Sequence, residues 1–172
     1  MKMTPDNIIL GDGVFYVDEV PVALTRGGGQ FTVEREYRQI EADGDYGPVK
    51  GRIRKIKSTA KLKLNALELI PAQVLQMYPA LQIATDIDGS TITAKEKIED
   101  ADYNDDVVWV GETLDGKAVR ITIQNAINLE SLDWALVDKE EIVPEVNYTA
   151  TYLESARKTE PWKIEWLAAE YY

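Results

Sequence analysis

Two alternating segments flank a stretch that no regular element can cross, and this arrangement constrains the chain more than any other feature. Gln30-Phe31-Thr32-Val33-Glu34-Arg35-Glu36-Tyr37 puts Phe31, Val33 and Tyr37 on one face and Thr32, Glu34 and Glu36 on the other. Ala60-Lys61-Leu62-Lys63-Leu64-Asn65 alternates in the same way. Side chains of an extended strand point alternately to opposite sides, so each segment reads as a half-buried strand. The apolar phase slips by one at Ala66-Leu67, which marks a bulge or the end of the second strand. Between the two, Asp43-Gly44-Asp45-Tyr46-Gly47-Pro48-Val49-Lys50-Gly51 carries three glycines and one proline in nine residues. Glycine and proline there break helices and strands and favour turns. A loop of that length on a compact domain is more often functional than idle. With its charged flanks, Arg35 to Glu41 and Arg52 to Thr59, it looks suited to docking on another molecule.

The rest of the chain continues the two-residue period. Val107-Val108-Trp109-Val110 and Val119-Arg120-Ile121-Thr122-Ile123 flank Asp115-Gly116, a hairpin signal for which a type I′ turn is expected. Val146 to Tyr152 alternates again, and Trp162, Ile164 and Trp166 share one face of a last strand. One segment reads as helix: Pro71-Ala72-Gln73-Val74-Leu75-Gln76-Met77-Tyr78, with proline at a first helical position and Pro79 behind it. Two turns of helix do not stand without a sheet to pack on. The expected fold class is mainly β, a sandwich or barrel with one short α-helix and a long inter-strand loop. It forms a single domain over 1–172, because the chain has no repeat, low-complexity tract or linker.

Composition excludes several function classes. The chain has no Cys and no His, so thiolate or imidazole catalysis and Cys- or His-ligated metals are out of reach. Nineteen basic against thirty acidic residues leave a net charge of −11, which argues against an open nucleic-acid-binding surface. The N-terminus lacks an apolar stretch of signal-peptide length, and no run is long enough for a membrane span; a soluble protein made in a cytoplasm is expected. The charge is also segregated. Lys50, Arg52, Arg54, Lys55, Lys57, Lys61 and Lys63 follow one another without an acid, whereas Asp86 to Asp106 holds eight acids and two lysines. Opposite patches on one small domain suit a protein that binds copies of itself head to tail.

Motifs that carry chemistry elsewhere are incomplete here. Arg26-Gly27-Gly28-Gly29 precedes a strand rather than opening a helix and reads as a turn or bulge, not a phosphate loop. Asp100-Ala101-Asp102-Tyr103-Asn104-Asp105-Asp106 begins like a calcium loop but has Asp105 where the glycine belongs and Gly111 where the glutamate belongs. Trp109, Trp134, Trp162 and Trp166 leave room for a monomeric glycan-binding β-sandwich, which would display aromatics on one sheet. No catalytic, cofactor-binding or metal residue is assigned, and no enzyme is expected.

Taken together, three pieces resemble the tail tube protein family of long-tailed, siphovirus-type bacteriophages. They are Thr25-Arg26-Gly27-Gly28-Gly29-Gln30-Phe31-Thr32-Val33-Glu34-Arg35-Glu36, then Ile40-Glu41-Ala42-Asp43-Gly44 with Gly47-Pro48-Val49-Lys50-Gly51, and Tyr148-Thr149-Ala150-Thr151-Tyr152 with Glu160-Pro161-Trp162-Lys163-Ile164. The resemblance implies a structural subunit that assembles into hexameric rings, stacked into a hollow tube of the virion tail through which the genome passes. It implies as partners the protein itself, a tape-measure protein, a tail terminator, distal tail proteins, and double-stranded DNA in transit only, with no membrane binding. It implies an inter-ring loop over 43–54, namely Asp43, Gly44, Asp45, Tyr46, Gly47, Pro48, Val49, Lys50, Gly51, Arg52 and Arg54. From the alternation, Thr32, Glu34 and Glu36 are candidate lumen residues, and inward acids would repel phosphate. Asp100, Asp102, Asp105 and Asp106 are candidate partners for the basic loop stem on the next ring. About 139–172 reads as a C-terminal strand or an extension onto a neighbour, its aromatic end from Trp166 to Tyr172 suiting an inter-subunit patch. A tube subunit of a contractile injection or secretion system is the nearest alternative.

Overall fold

A computed structural model describes residues 5–22 and 24–168. Its order is β1 (Ile9–Val17), β2 (Val20–Pro21), β3 (Thr25–Gln39), β4 (Ile53–Ala66), α1 (Pro71–Met77), β5 (Leu81–Asp86), β6 (Gly89–Ala94), β7 (Asn104–Thr113), β8 (Ala118–Asn128), β9 (Glu145–Ala150) and β10 (Trp162–Leu167). The fold is mainly β, as the alternation requires, with one helix and antiparallel sheets. Strands run β2-β1-β7-β8-β9-β4-β3 across the main sheet, with β10 also on β8; β5 and β6 form a separate two-stranded ribbon.

β8 serves two neighbours in succession. Ala118 to Ile123 pairs with β10, and Ala126 to Asn128 pairs with β9. Asn125 lies at the switch with φ 48°, a left-handed conformation that asparagine tolerates better than most residues. The Thr151 hydroxyl donates to the Asn125 carbonyl at 2.6 Å and holds the bend. One part of the sheet therefore carries β10, β7 and β1, and the other carries β9, β4 and β3. Phe31 on β3 meets Trp162 on β10 with ring centroids 5.8 Å apart, closing the two parts over a core of Phe15, Leu62, Leu64, Val107, Ile123, Val146 and Tyr148.

α1 starts at Pro71 and ends where Tyr78 donates its N–H to the Val74 carbonyl at 3.0 Å. The last carbonyls of a helix have no partner within it. Here the sheet supplies donors: Asn104 Nδ2 reaches Gln76 O at 2.9 Å, Asn128 Nδ2 reaches Met77 O at 2.8 Å, and the Tyr148 hydroxyl reaches Gln76 O at 3.3 Å. The short helix is thus fastened from β7, β8 and β9 while Val74 and Met77 enter the core.

Two turn expectations are refined. At Asp115-Gly116 only Gly116 has positive φ; its N–H donates to Thr113 O at 2.9 Å, giving a type I turn closed by a glycine bulge rather than type I′. The two-residue turn with both φ values positive is instead Asp18-Glu19, between β1 and β2. The triple glycine lies inside β3: Gly27 and Gly28 have φ 87° and 72°, and the pairing with β4 shifts between Thr25 and Gly29. The segment is a bulge, as the glycines require.

Gly29 packs so closely that a Cβ would stand 2.3 Å from the Lys63 carbonyl and 2.5 Å from Phe15 Cζ. Gly29→Ala is expected to lower unfolding free energy by about 1–3 kcal/mol in urea denaturation, because backbone cannot yield there. Gly47→Ala, whose Cβ would meet nothing within 4 Å, is expected to stay within about 0.5 kcal/mol.

Candidate assembly surfaces

The β3–β4 hairpin is longer than the sheet that holds it. β9 pairs with β4 only from Lys61 to Asn65, so from Thr59 outward β4 has, among the described residues, β3 alone as partner. Residues 34–57 form a projecting two-stranded arm, tipped by the loop 40–52. Arg54 belongs to β4, opposite Arg38, and not to the loop. An isolated two-stranded ribbon is marginal in water. This one nevertheless displays Tyr37, Ile40, Tyr46, Ile53 and Ile56 to solvent.

The loop is ordered by contacts among its own residues. Asp45 Oδ2 accepts the Ala42 amide at 2.9 Å and Arg52 Nη1 at 2.7 Å. Ile40 donates to Arg52 O at 3.0 Å, and Gly44 and Gly51 take φ values of 92° and 86°. Arg52 is therefore spent inside the loop. Among the described residues, Arg38, Lys50 and Arg54 have no ion-pair partner, and Arg35 has none but lies over the Trp162 ring, so Arg38, Lys50 and Arg54 are the free cations toward the tip of the arm.

Thr32, Glu34 and Glu36 lie on the side of β3 away from the core, as alternation dictates. They do not form an acidic surface. Glu34 pairs with Lys61 at 3.4 Å, Glu36 with Lys57 at 3.2 Å, and Lys63 with Glu145 at 2.5 Å. Acids on β3 and β9 flank lysines on β4, and the face is charge-balanced. Among the described residues, no strand lies beside the outer edges of β3 and β10.

The four candidate acids separate into different roles. Asp100 and Asp105 are exposed. Asp102 is largely buried and closes a capping box with Glu99, and it holds Lys95 at 3.0 Å. Burial raises its pKa, but the Glu99 amide and the Lys95 ammonium outweigh that and lower it. Asp106 is half-buried; its amide donates to Asp18 Oδ1 at 3.3 Å. Burial, then the Asp105 and Asp106 charges, push the Asp18 carboxyl upward against two backbone hydrogen bonds. Asp100, Tyr103, Asp105, Leu153 and Glu154 line an open groove of about 390 Å³. None of the arm's free cations reaches it within the chain.

β9 and β10 place 145–150 and 162–167 inside the sheet, so these parts of the C-terminal region are core strands. Trp162 packs on the core, but Ile164 and Trp166, on the same face, are exposed. Residues 169–172 of the expected aromatic patch lie outside the described residues. Trp109, Trp134 and Trp162 all pack against the core, leaving Trp166 as the exposed one.

Sequence reasoning missed Glu160. Its carboxylate accepts Lys55 Nζ on Oε1, and Trp162 Nε1 at 3.0 Å and the Tyr152 hydroxyl at 3.1 Å on Oε2. The one available signal was an acid next to proline and tryptophan at the mouth of a strand. Compared with protein-family models and with curated proteins, the chain matches none.

Lys55 first, then Ser58, Trp162 and Tyr152, hold the Glu160 carboxyl down to about 2 from its ordinary 4.5, with burial opposing. The folded value lies below the unfolded one, so the contribution is complete above about pH 4.5 and is lost as pH falls toward 2. Urea titrations at stepped pH are expected to show the native chain losing about 1–2 kcal/mol more over that window than Glu160→Gln.

Proposed function

We propose that this chain is a structural subunit of a phage tail tube, assembling into stacked hexameric rings that form a conduit for genome delivery. The observation that carries the reading is the arm. A protein that acted alone would gain nothing from a projecting ribbon with an ordered tip, free cations at Lys50 and Arg54, and apolar side chains in water. Exposed apolar surface of this kind marks an interaction site. Unpaired edges at β3 and β10 support the same reading, since joining them to neighbours around a ring removes exposed edges.

In this reading the arm, with Asp43 to Arg54 at its end, reaches the adjacent ring, and Lys50 and Arg54 meet the exposed acids Asp100 and Asp105 there. The charge-paired face of Thr32, Glu34 and Glu36 lines the lumen. Its lysines Lys57, Lys61 and Lys63 are matched by carboxylates, so DNA in transit finds no surplus lysine there to bind. The tape-measure protein, tail terminator and distal tail proteins are the further partners, the virion tail is the location, and no catalysis is assigned. Three core-packed tryptophans do not favour a glycan-binding surface.

Negative-stain electron microscopy across a concentration series is the test. Hollow rings or tubes with six-fold end views are expected. A protein that stays monomeric up to its solubility limit, at low and high salt, would overturn the reading. Lys50→Glu with Arg54→Glu is expected to abolish end-to-end growth while the melting temperature changes little, because both side chains are surface groups without partners among the described residues. Unchanged growth would remove these two residues from the inter-ring contact.

A further inference from the structure

The arm has a built-in point of bending. Glu36 stands opposite Lys57 and Tyr37 opposite Lys55, so Ile56 is an extra residue in β4, and the ladder shifts there. A bulge of this kind bends the strand, increases its twist and sends the next side chain to the other face. Lys57 accordingly turns to Glu36 on the outer face, whereas Lys55 turns to Glu160 on the inner one. Beyond the bulge no third strand among the described residues supports the ribbon, so pairing alone leaves its direction poorly fixed.

Glu160 spans this point. Oε1 holds Lys55, on the arm side of the bulge. Oε2 is gripped by Trp162 and Tyr152, and the Tyr152 hydroxyl also lies 3.3 Å from the Ser58 carbonyl, on the body side. The Tyr152 proton goes to one of these oxygens at a time. Trp162 is in turn fixed by Phe31, and the Arg35 guanidinium lies 5.8 Å from its ring centroid. A lone pair involving a half-exposed lysine adds little. This carboxylate differs because two neutral donors fix it in place before Lys55 arrives, so less side-chain freedom is lost on pairing.

We propose that Glu160 is a positioning residue that staples the bulge and sets the direction of the arm relative to the sheet. Its consequence for ring stacking rests on the tube reading; the stapling itself does not. In the closed state Lys55 is paired and the arm points one way. When the pair is broken the ribbon turns about Ile56 while β4, β9 and β10 remain intact.

The absence of cysteine permits clean spin labelling. Tyr46→Cys at the arm tip and Glu112→Cys on β7 are labelled, and the distance distribution is read by pulsed electron resonance on monomer at low concentration. One narrow distribution is expected with Glu160 and Lys55 present. Glu160→Gln and Lys55→Met are each expected to broaden or shift it, and Glu154→Gln, a nearby acid without this role, is expected to leave it unchanged. Melting curves check the fold; should Glu160→Gln fail to fold, Lys55→Met, whose side chain is half-exposed on the arm, carries the test. A narrow, unshifted distribution in the folded variants overturns the proposal. The same variants are then examined for tubes. Loss of stacking with a broadened distribution supports the staple's role in assembly; normal stacking with a broadened distribution overturns that role and leaves the staple. Because the distances are read on monomer, a native chain that never assembles overturns the tube reading without deciding the staple.

Discussion

Everything in this fold hangs on the bend in β8. A single strand that gives its first half to β10 and its second half to β9 forces one sheet to become two facing layers. The turn at Asn125 and the Thr151 hydroxyl that grips it decide where the layers meet. Only with that bend in place can Trp162 lie over Phe31 and the base of β4 lie within reach of Glu160. The helix is similarly dependent, since the donors that close its end come from β7, β8 and β9. Seven residues of helix are stable here because the sheet completes them.

Much of this was legible from spacing. Alternation located β3, β4, β9 and β10, because each has one face against apolar neighbours and one against water. The apolar runs on either side of Asp115-Gly116 located β7 and β8, of which β8 is buried on both faces. Pro71 and Pro79 bracketed α1 correctly, and the slip at Ala66-Leu67 marked the end of β4. The β5–β6 ribbon was not foreseen: nearly all its side chains are exposed, so its residues carry no burial period to read. The turn at Asp115-Gly116 was misjudged in type because the loop is longer than two residues, which the dipeptide alone does not reveal.

The site was harder to read, for reasons of geometry across the chain. Glu34 and Glu36 were expected to present charge, but the lysines that neutralise them lie about twenty to thirty residues away on β4. Arg52 looked free until the loop folded back and Asp45 claimed it. Asp102 looked like its neighbours, yet a capping turn draws it out of solvent. Glu160 and Lys55 are 105 residues apart and come together only after β10 has found β8. Pairings of this range follow from topology and leave no periodic trace.

The ladder of Glu34, Glu36 and Glu145 against Lys57, Lys61 and Lys63 has a thermodynamic side. Lysines on an ordinary basic surface draw phosphates because bound small ions are set free when the polyanion arrives. Lysines already neutralised by fixed carboxylates hold no loose ions to release. A polyanion sliding past such a wall gains no entropy from stopping, and it would do so at low salt as readily as at high.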